Sequence, residues 1–121
     1  MIEIGTILVS DRPFPFVVIS EPDPADGGIV IVPILKFIDP INEDICLLRP
    51  QEIDSVVTEL AHVCYKRATK GNLCAIEKAI KDGILRVRFK LTNDVVRKII
   101  QGARRAMRPE FVRLLRSSDD F

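Results

Sequence analysis

Short apolar runs alternate with turn-forming clusters through the first fifty residues. Gly5–Ser10 (GTILVS) ends in Ser10-Asp11-Arg12-Pro13, and Phe16–Ser20 (FVVIS) leads into the acidic stretch Glu21–Asp26 and the pair Gly27-Gly28. Ile29–Ile34 (IVIVPI) is a third run and Ile45–Arg49 (ICLLR) a fourth. β-branched runs bounded by Pro, Gly and Asp predict a meander of short antiparallel strands. The intervals are too short for parallel crossovers, which need a dozen or more residues.

The pattern then changes period. Ile53, Val56, Val57, Leu60, Ala61 and Cys64 fall on one face at helical spacing, predicting a helix over 51–66. Leu73, Ile76 and Ile80 predict a second helix over Leu73–Lys81, stopped by Asp82-Gly83. Ile84–Leu91 alternates instead, predicting a strand with Leu85, Val87, Phe89 and Leu91 on a dry face and Arg86, Arg88 and Lys90 on a cationic one. Thr92 or Asn93 caps a last long helix reaching about Met107, with Val95, Val96, Ile99, Ile100, Ala103 and Met107 as its core stripe. Pro109 restarts a short final turn carrying Phe111, Leu114 and Leu115. The fold class expected is α+β, a small antiparallel β unit followed by packed helices, in one domain over residues 1–121.

Composition narrows the function classes. The chain has 121 residues, and its apolar runs are interrupted every few positions, well short of the roughly 18–20 residues of a membrane span, so no membrane partner is expected. The start MIEIGTILVSD lacks the basic and apolar segments of a secretory leader. Cys46, Cys64 and Cys74 are odd in number and contain no CxxC, which favours buried reduced thiols over disulfides or zinc and predicts a cytoplasmic protein.

The formal net charge of +1 conceals a division. Residues 1–61 hold 3 Lys/Arg against 11 Asp/Glu, a net −8, whereas residues 62–121 hold 15 against 6, a net +9. Same-face neighbours on a strand lie about 6.5–7 Å apart, so Arg86, Arg88 and Lys90 form a repeat suited to the phosphates of a nucleic-acid strand. The alternative is a solvated face paired with the acidic half of the same molecule.

The strand sequences Gly5-Thr6-Ile7-Leu8-Val9, Pro15-Phe16-Val17-Val18-Ile19-Ser20 and Ile31-Val32-Pro33-Ile34 resemble those of the MazF/PemK toxin family. The spacing Thr92…Val95…Ile99 resembles its C-terminal helix. The resemblance implies an SH3-like β-barrel with packed helices, a homodimer, and a metal-free endoribonuclease held by an antitoxin-like protein that occludes the RNA groove. It also implies an Arg in the turn before the second strand, to stabilise charge on the reacting phosphate, and a Thr or Ser hydroxyl just after the third. Here Phe14 precedes Pro15, leaving Arg12 as the candidate catalytic residue, and Leu35-Lys36 stand where the hydroxyl belongs. Ser10 and Ser20 are the nearest hydroxyls expected at that end of the meander.

Lys36, Arg86, Arg88 and Lys90 are therefore the candidate nucleic-acid-binding residues. His62, the sole histidine, lies beside an apolar stripe and reads as structural. Asp23, Asp26, Asp39, Glu43 and Asp44 lie among Pro and Gly and read as turn-formers rather than metal ligands. No metal or other cofactor is expected. Two functions fit: an RNA-binding, toxin-like module with or without endoribonuclease activity, and a non-catalytic protein-interaction module on the same fold.

Overall fold

A computed structural model of the chain describes residues 2–37 and 46–121. Seven strands and three helices follow in the order β1 (Thr6–Val9), β2 (Phe16–Val18), β3 (Gly28–Lys36), β4 (Leu47–Leu48), β5 (Ala61–Val63), β6 (Thr69–Asn72), α1 (Leu73–Lys81), β7 (Arg86–Lys90), α2 (Asn93–Ala106) and α3 (Pro109–Val112). The α+β class is as the pattern predicts. Every strand pairing is antiparallel, in the order β4-β5-β3-β2-β1-β7 with β6 also on β3. Among the described residues the ladder ends at β4 and β7, so the expected barrel is not closed.

β3 organises the sheet. One edge pairs with β2; the other pairs with β6 over Gly28–Ile31 and with β5 over Ile34–Lys36. Pro33, which lacks an N–H, falls at the break between β6 and β5, where its carbonyl still accepts from the Cys64 N–H at 3.0 Å. A proline is tolerated inside this long strand because no partner requires its missing donor.

Alternation along the strands divides the apolar residues between two faces. Ile7, Val17, Val30, Val32 and Ile34 pack against Val95, Val96, Ile99, Ile100 and Ala103 of α2 and against Phe111 and Leu115. Each such buried aliphatic side chain contributes about 1.5–3 kcal/mol through removal from water. Leu8, Val18 and Ile29 face the other way, onto Ile76 of α1 with Leu73 and Ile80 beside it. Both predicted helical stripes are thus the buried ones. Gly5 adopts φ 93° and lets β1 pass close to α2, where a Cβ would meet Val96 Cγ2 at 2.7 Å.

The helix expected over 51–66 does not form. Pro50–Ile53 makes one tight 3-10 turn, ended by Asp54 (φ 51°) and Ser55 (φ 56°), two successive left-handed residues. Such backbone cannot continue a right-handed helix. Beyond it, Ala61 and Val63 are buried while His62 between them is half-buried, which is strand alternation. The β-branched content of Val56, Val57, Thr58 and Val63 favours that outcome, and the open edge of β3 supplies the partner. Leu60, expected inward, is 40% exposed. The fourth strand is Leu47–Leu48 alone; Ile45 of the predicted run lies outside the described residues. No described helix is long and apolar enough to cross a membrane.

Candidate functional site

The two halves of opposite sign fold onto one another. Lys70 on β6 meets Asp23 and Asp26 of the β2–β3 connection at 2.6 and 2.8 Å. Arg113 reaches Asp23 at 3.3 Å, Arg116 reaches Glu21 at 3.5 Å, and Lys98 reaches Glu52 at 3.4 Å. Arg88 pairs with Asp54 at 2.7 Å, and Lys90 pairs with Glu3. Much of the basic half is therefore already neutralised, the alternative noted from the sequence. Exposed pairs of this kind add little stability, about 0–1 kcal/mol each, but they remove cations from the surface a polyanion meets.

The cationic stripe on β7 is also reshaped by register. Ile7 lies opposite Phe89 and Leu8 opposite Val87, so Arg88 is the extra residue of a β-bulge. Opposed residues share a face. Lys90, opposite Thr6, and Arg86, opposite Val9, therefore project to opposite faces instead of forming one row. The same bulge corrects the dry face: Phe89 packs on the core and Leu91 is buried, whereas Val87 is 54% exposed.

Three of the sequence-selected residues do share one end of the sheet. β1 ends at Val9 opposite Arg86. The Ser10–Pro15 turn that follows carries Arg12, and the Ile34 N–H bonds the Pro15 carbonyl at 2.9 Å, placing Lys36 just beyond. With β2 and β1 standing between β3 and β7, three strand spacings span about 14 Å from Lys36 to Arg86. Arg12 and Arg86 are exposed and have no ion-pair partner among the described residues. Lys36 is paired with Glu59 at 3.0 Å. Lys90 lies about 13 Å along β7 from Arg86 and belongs to the other end.

The two serines do not sit together, contrary to expectation. β1 and β2 run antiparallel, so Ser10 and Ser20 flank opposite ends of the pair. Ser10 Oγ accepts from the Arg12 N–H at 3.1 Å and shapes the turn. Ser20 is buried, and its Oγ accepts from the Val30 N–H at 2.8 Å, a structural bond. A different hydroxyl, that of Ser55, lines a groove with Val9, Val56, Arg86, Val87 and Arg88. Its helical placement in the sequence concealed it; the Asp54-Ser55 turn brings it beside the two arginines.

The remaining candidates resolve as scaffold. Asp23 is buried, with its carboxylate taking hydrogen bonds from Lys70 and from the Ala25 N–H at 2.9 Å. These donors hold its pKa at about 2. Asp26 is also lowered, first by Lys70, and Lys70 is raised by the two carboxylates. Asp39, Glu43 and Asp44 lie outside the described residues. Among the described residues no group of three or more His, Cys, Asp and Glu side chains is arranged to hold a metal ion. His62 stands in register with Leu35 and Leu47, its ring edge-on to Phe37 at 6.0 Å. Only Cys46 of the three thiols is buried, and desolvation pushes its pKa up; Cys64 is half-buried and Cys74 is exposed, a correction to the expectation of buried thiols.

No family model, curated protein or solved structure matches the chain.

Proposed function

We propose that the protein is an RNA-binding module of the toxin-like kind its strand sequences resemble, gripping phosphates at the sheet end that carries Arg12, Arg86 and Lys36. The observation that supports this most is the pair Arg12 and Arg86: exposed cations left without counter-charges while most of their neighbours are neutralised. Unpaired guanidiniums release bound counterions when they meet a phosphate backbone, which drives association. Cleavage is not part of the reading. The residues after β3 are Leu35 and Lys36, Lys36 is bound to Glu59, and Arg12 has no hydroxyl partner beyond the one shaping its own turn.

The test is binding of a long unstructured RNA in EDTA at several salt concentrations, with RNA integrity followed on a gel. Expected are intact RNA and an affinity that falls with salt. Absence of binding at low salt with micromolar protein would overturn the reading; fragmented RNA would extend it to metal-independent cleavage.

A second reading is favoured by a separate surface. On the face covered elsewhere by α1, Phe14 and Phe16 stack edge-on at 5.4 Å, and Leu35, Phe37, Leu47 and Leu60 remain partly exposed. Such a patch suits a protein partner, either a second copy or the antitoxin-like chain implied by the resemblance. Sedimentation of the isolated protein over a concentration series separates a monomer from a dimer.

A further inference from the structure

The groove beside Ser55 has a composition that phosphate binding alone does not explain. Val9, Val56 and Val87 give it an apolar surface, Arg86 and Arg88 flank them, and the volume is about 500 Å³. That volume lies in the range of small-molecule sites, which combine apolar walls with a few placed polar groups. Val87 is 54% exposed on a strand whose other apolar residues are covered, because the Arg88 bulge turns it out of the core.

The two arginines are not equivalent. Arg88 donates to the Asp54 carboxylate at 2.7 Å and approaches the Asp54 carbonyl at 3.4 Å, so its guanidinium plane is held by the left-handed turn. It stays 44% exposed, with a face available for stacking. Arg86 has no acceptor among the described residues and is the free charge of the groove.

Building on the RNA-binding reading, we propose that this groove holds one unpaired nucleotide of the bound strand. Its base lies against the valines and the Arg88 plane, its phosphate on Arg86, and its ribose within reach of the Ser55 hydroxyl. Aromatic surfaces are the usual platform for unpaired bases, with arginine planes also used. None of the chain's few aromatic rings lines this groove. An acidic peptide would satisfy Arg86 as well, yet its carboxylates leave the valine surface unused.

The experiment compares wild type, Val87→Ser and Arg86→Ala in binding a single-stranded RNA and, separately, inorganic polyphosphate. Val87 lies on the surface, so its variant is checked for unchanged thermal unfolding before use. The expected result is that Val87→Ser lowers RNA affinity about fivefold or more with the salt dependence and polyphosphate binding unchanged. Arg86→Ala is expected to weaken both ligands and reduce the salt slope by about 0.7. If Arg86→Ala weakens RNA while Val87→Ser binds as wild type, the nucleotide pocket is overturned and the RNA-binding reading stands. If wild type binds polyphosphate and RNA equally well, or a poly-glutamate peptide displaces RNA at similar concentration, the base pocket is likewise overturned. Failure of wild type to bind any RNA would remove both.

Discussion

Lys70 Nζ lies 2.6 Å from the carboxylate of Asp23, joining the β2–β3 connection to β6 across 47 residues of sequence. The same ammonium also reaches Asp26 at 2.8 Å, and Arg113 comes to Asp23 from beyond α3. Asp23 accepts from the Ala25 N–H and its carbonyl accepts from the Gly27 N–H at 2.7 Å, so the hairpin is folded around this carboxylate. One buried anion ties together three parts of the chain.

The first prediction concerns acid. Asp23 has a folded-state pKa of about 2 against an ordinary 3.8, and Asp26 is lowered too. A depressed carboxylate contributes stability that is complete above its unfolded pKa and is lost as pH falls through the folded one. Denaturant midpoints should therefore decline between about pH 4 and about pH 2. Asp23→Asn should be less stable than wild type at neutral pH, with the difference narrowing across that window. A difference that stayed constant with pH would assign the cost to packing instead of charge.

Tyr65 and Gly102 make a second test. The buried Tyr65 hydroxyl donates to the Ile99 carbonyl at 2.7 Å, and burial raises its pKa. A Cβ on Gly102 would stand 2.4 Å from that hydroxyl. Alanine in a helix interior normally gains about 1 kcal/mol over glycine, but the overlap reverses the sign. Gly102→Ala should destabilise by about 1–3 kcal/mol. Tyr65→Phe alone should cost about 1 kcal/mol. The double variant should lose less than the two together, because removing the hydroxyl relieves part of the clash.

The left-handed turn supplies a third. Ser55 holds φ 56° without the freedom of glycine, a strain of about 1–2 kcal/mol for an ordinary residue. Ser55→Gly should raise the unfolding midpoint, corresponding to about 1 kcal/mol. The same variant should lose RNA affinity if the hydroxyl is used. Opposite signs for stability and binding would mark Ser55 as a residue whose conformation serves the groove.

What the sequence disclosed depends on how local each signal is. α1 and α2 were legible because their stripes, Leu73-Ile76-Ile80 and Val95 through Ala103, are set by neighbours within two turns. β1, β2 and β3 were legible from their bounded β-branched runs. β6 was not, since Thr69-Lys70-Gly71-Asn72 carries no alternation and becomes a strand only because Gly28–Ile31 presents an edge. Residues 51–66 carry a helical stripe that two left-handed residues override, with β5 pairing completing the change. For the site, residue identity located Arg12, Lys36 and Arg86 at one sheet end. It could not show the ion pairs that occupy Lys36, Arg88 and Lys90, because those acids lie 23 to 87 residues away in sequence. The bulge at Arg88 was equally hidden, as one extra residue leaves the alternation of letters intact.

The Lys36–Glu59 pair carries the last prediction. Lys36 stands at the sheet end with Arg12 and Arg86, yet its ammonium lies 3.0 Å from the Glu59 carboxylate, with both side chains more than half exposed. An exposed pair of this kind has little net stability to lose. Glu59→Gln should therefore leave the unfolding midpoint nearly unchanged. It should at the same time release a third cation toward the RNA, raising affinity at low salt and steepening the dependence of log K on log salt by about 0.7, the contribution of one phosphate contact in a single strand. Lys36→Ala should remove that increment when combined with Glu59→Gln. If Glu59→Gln leaves both affinity and slope unchanged while Arg12→Ala and Arg86→Ala weaken binding, then the strand crosses the β1–β2 turn and β7 without reaching β3.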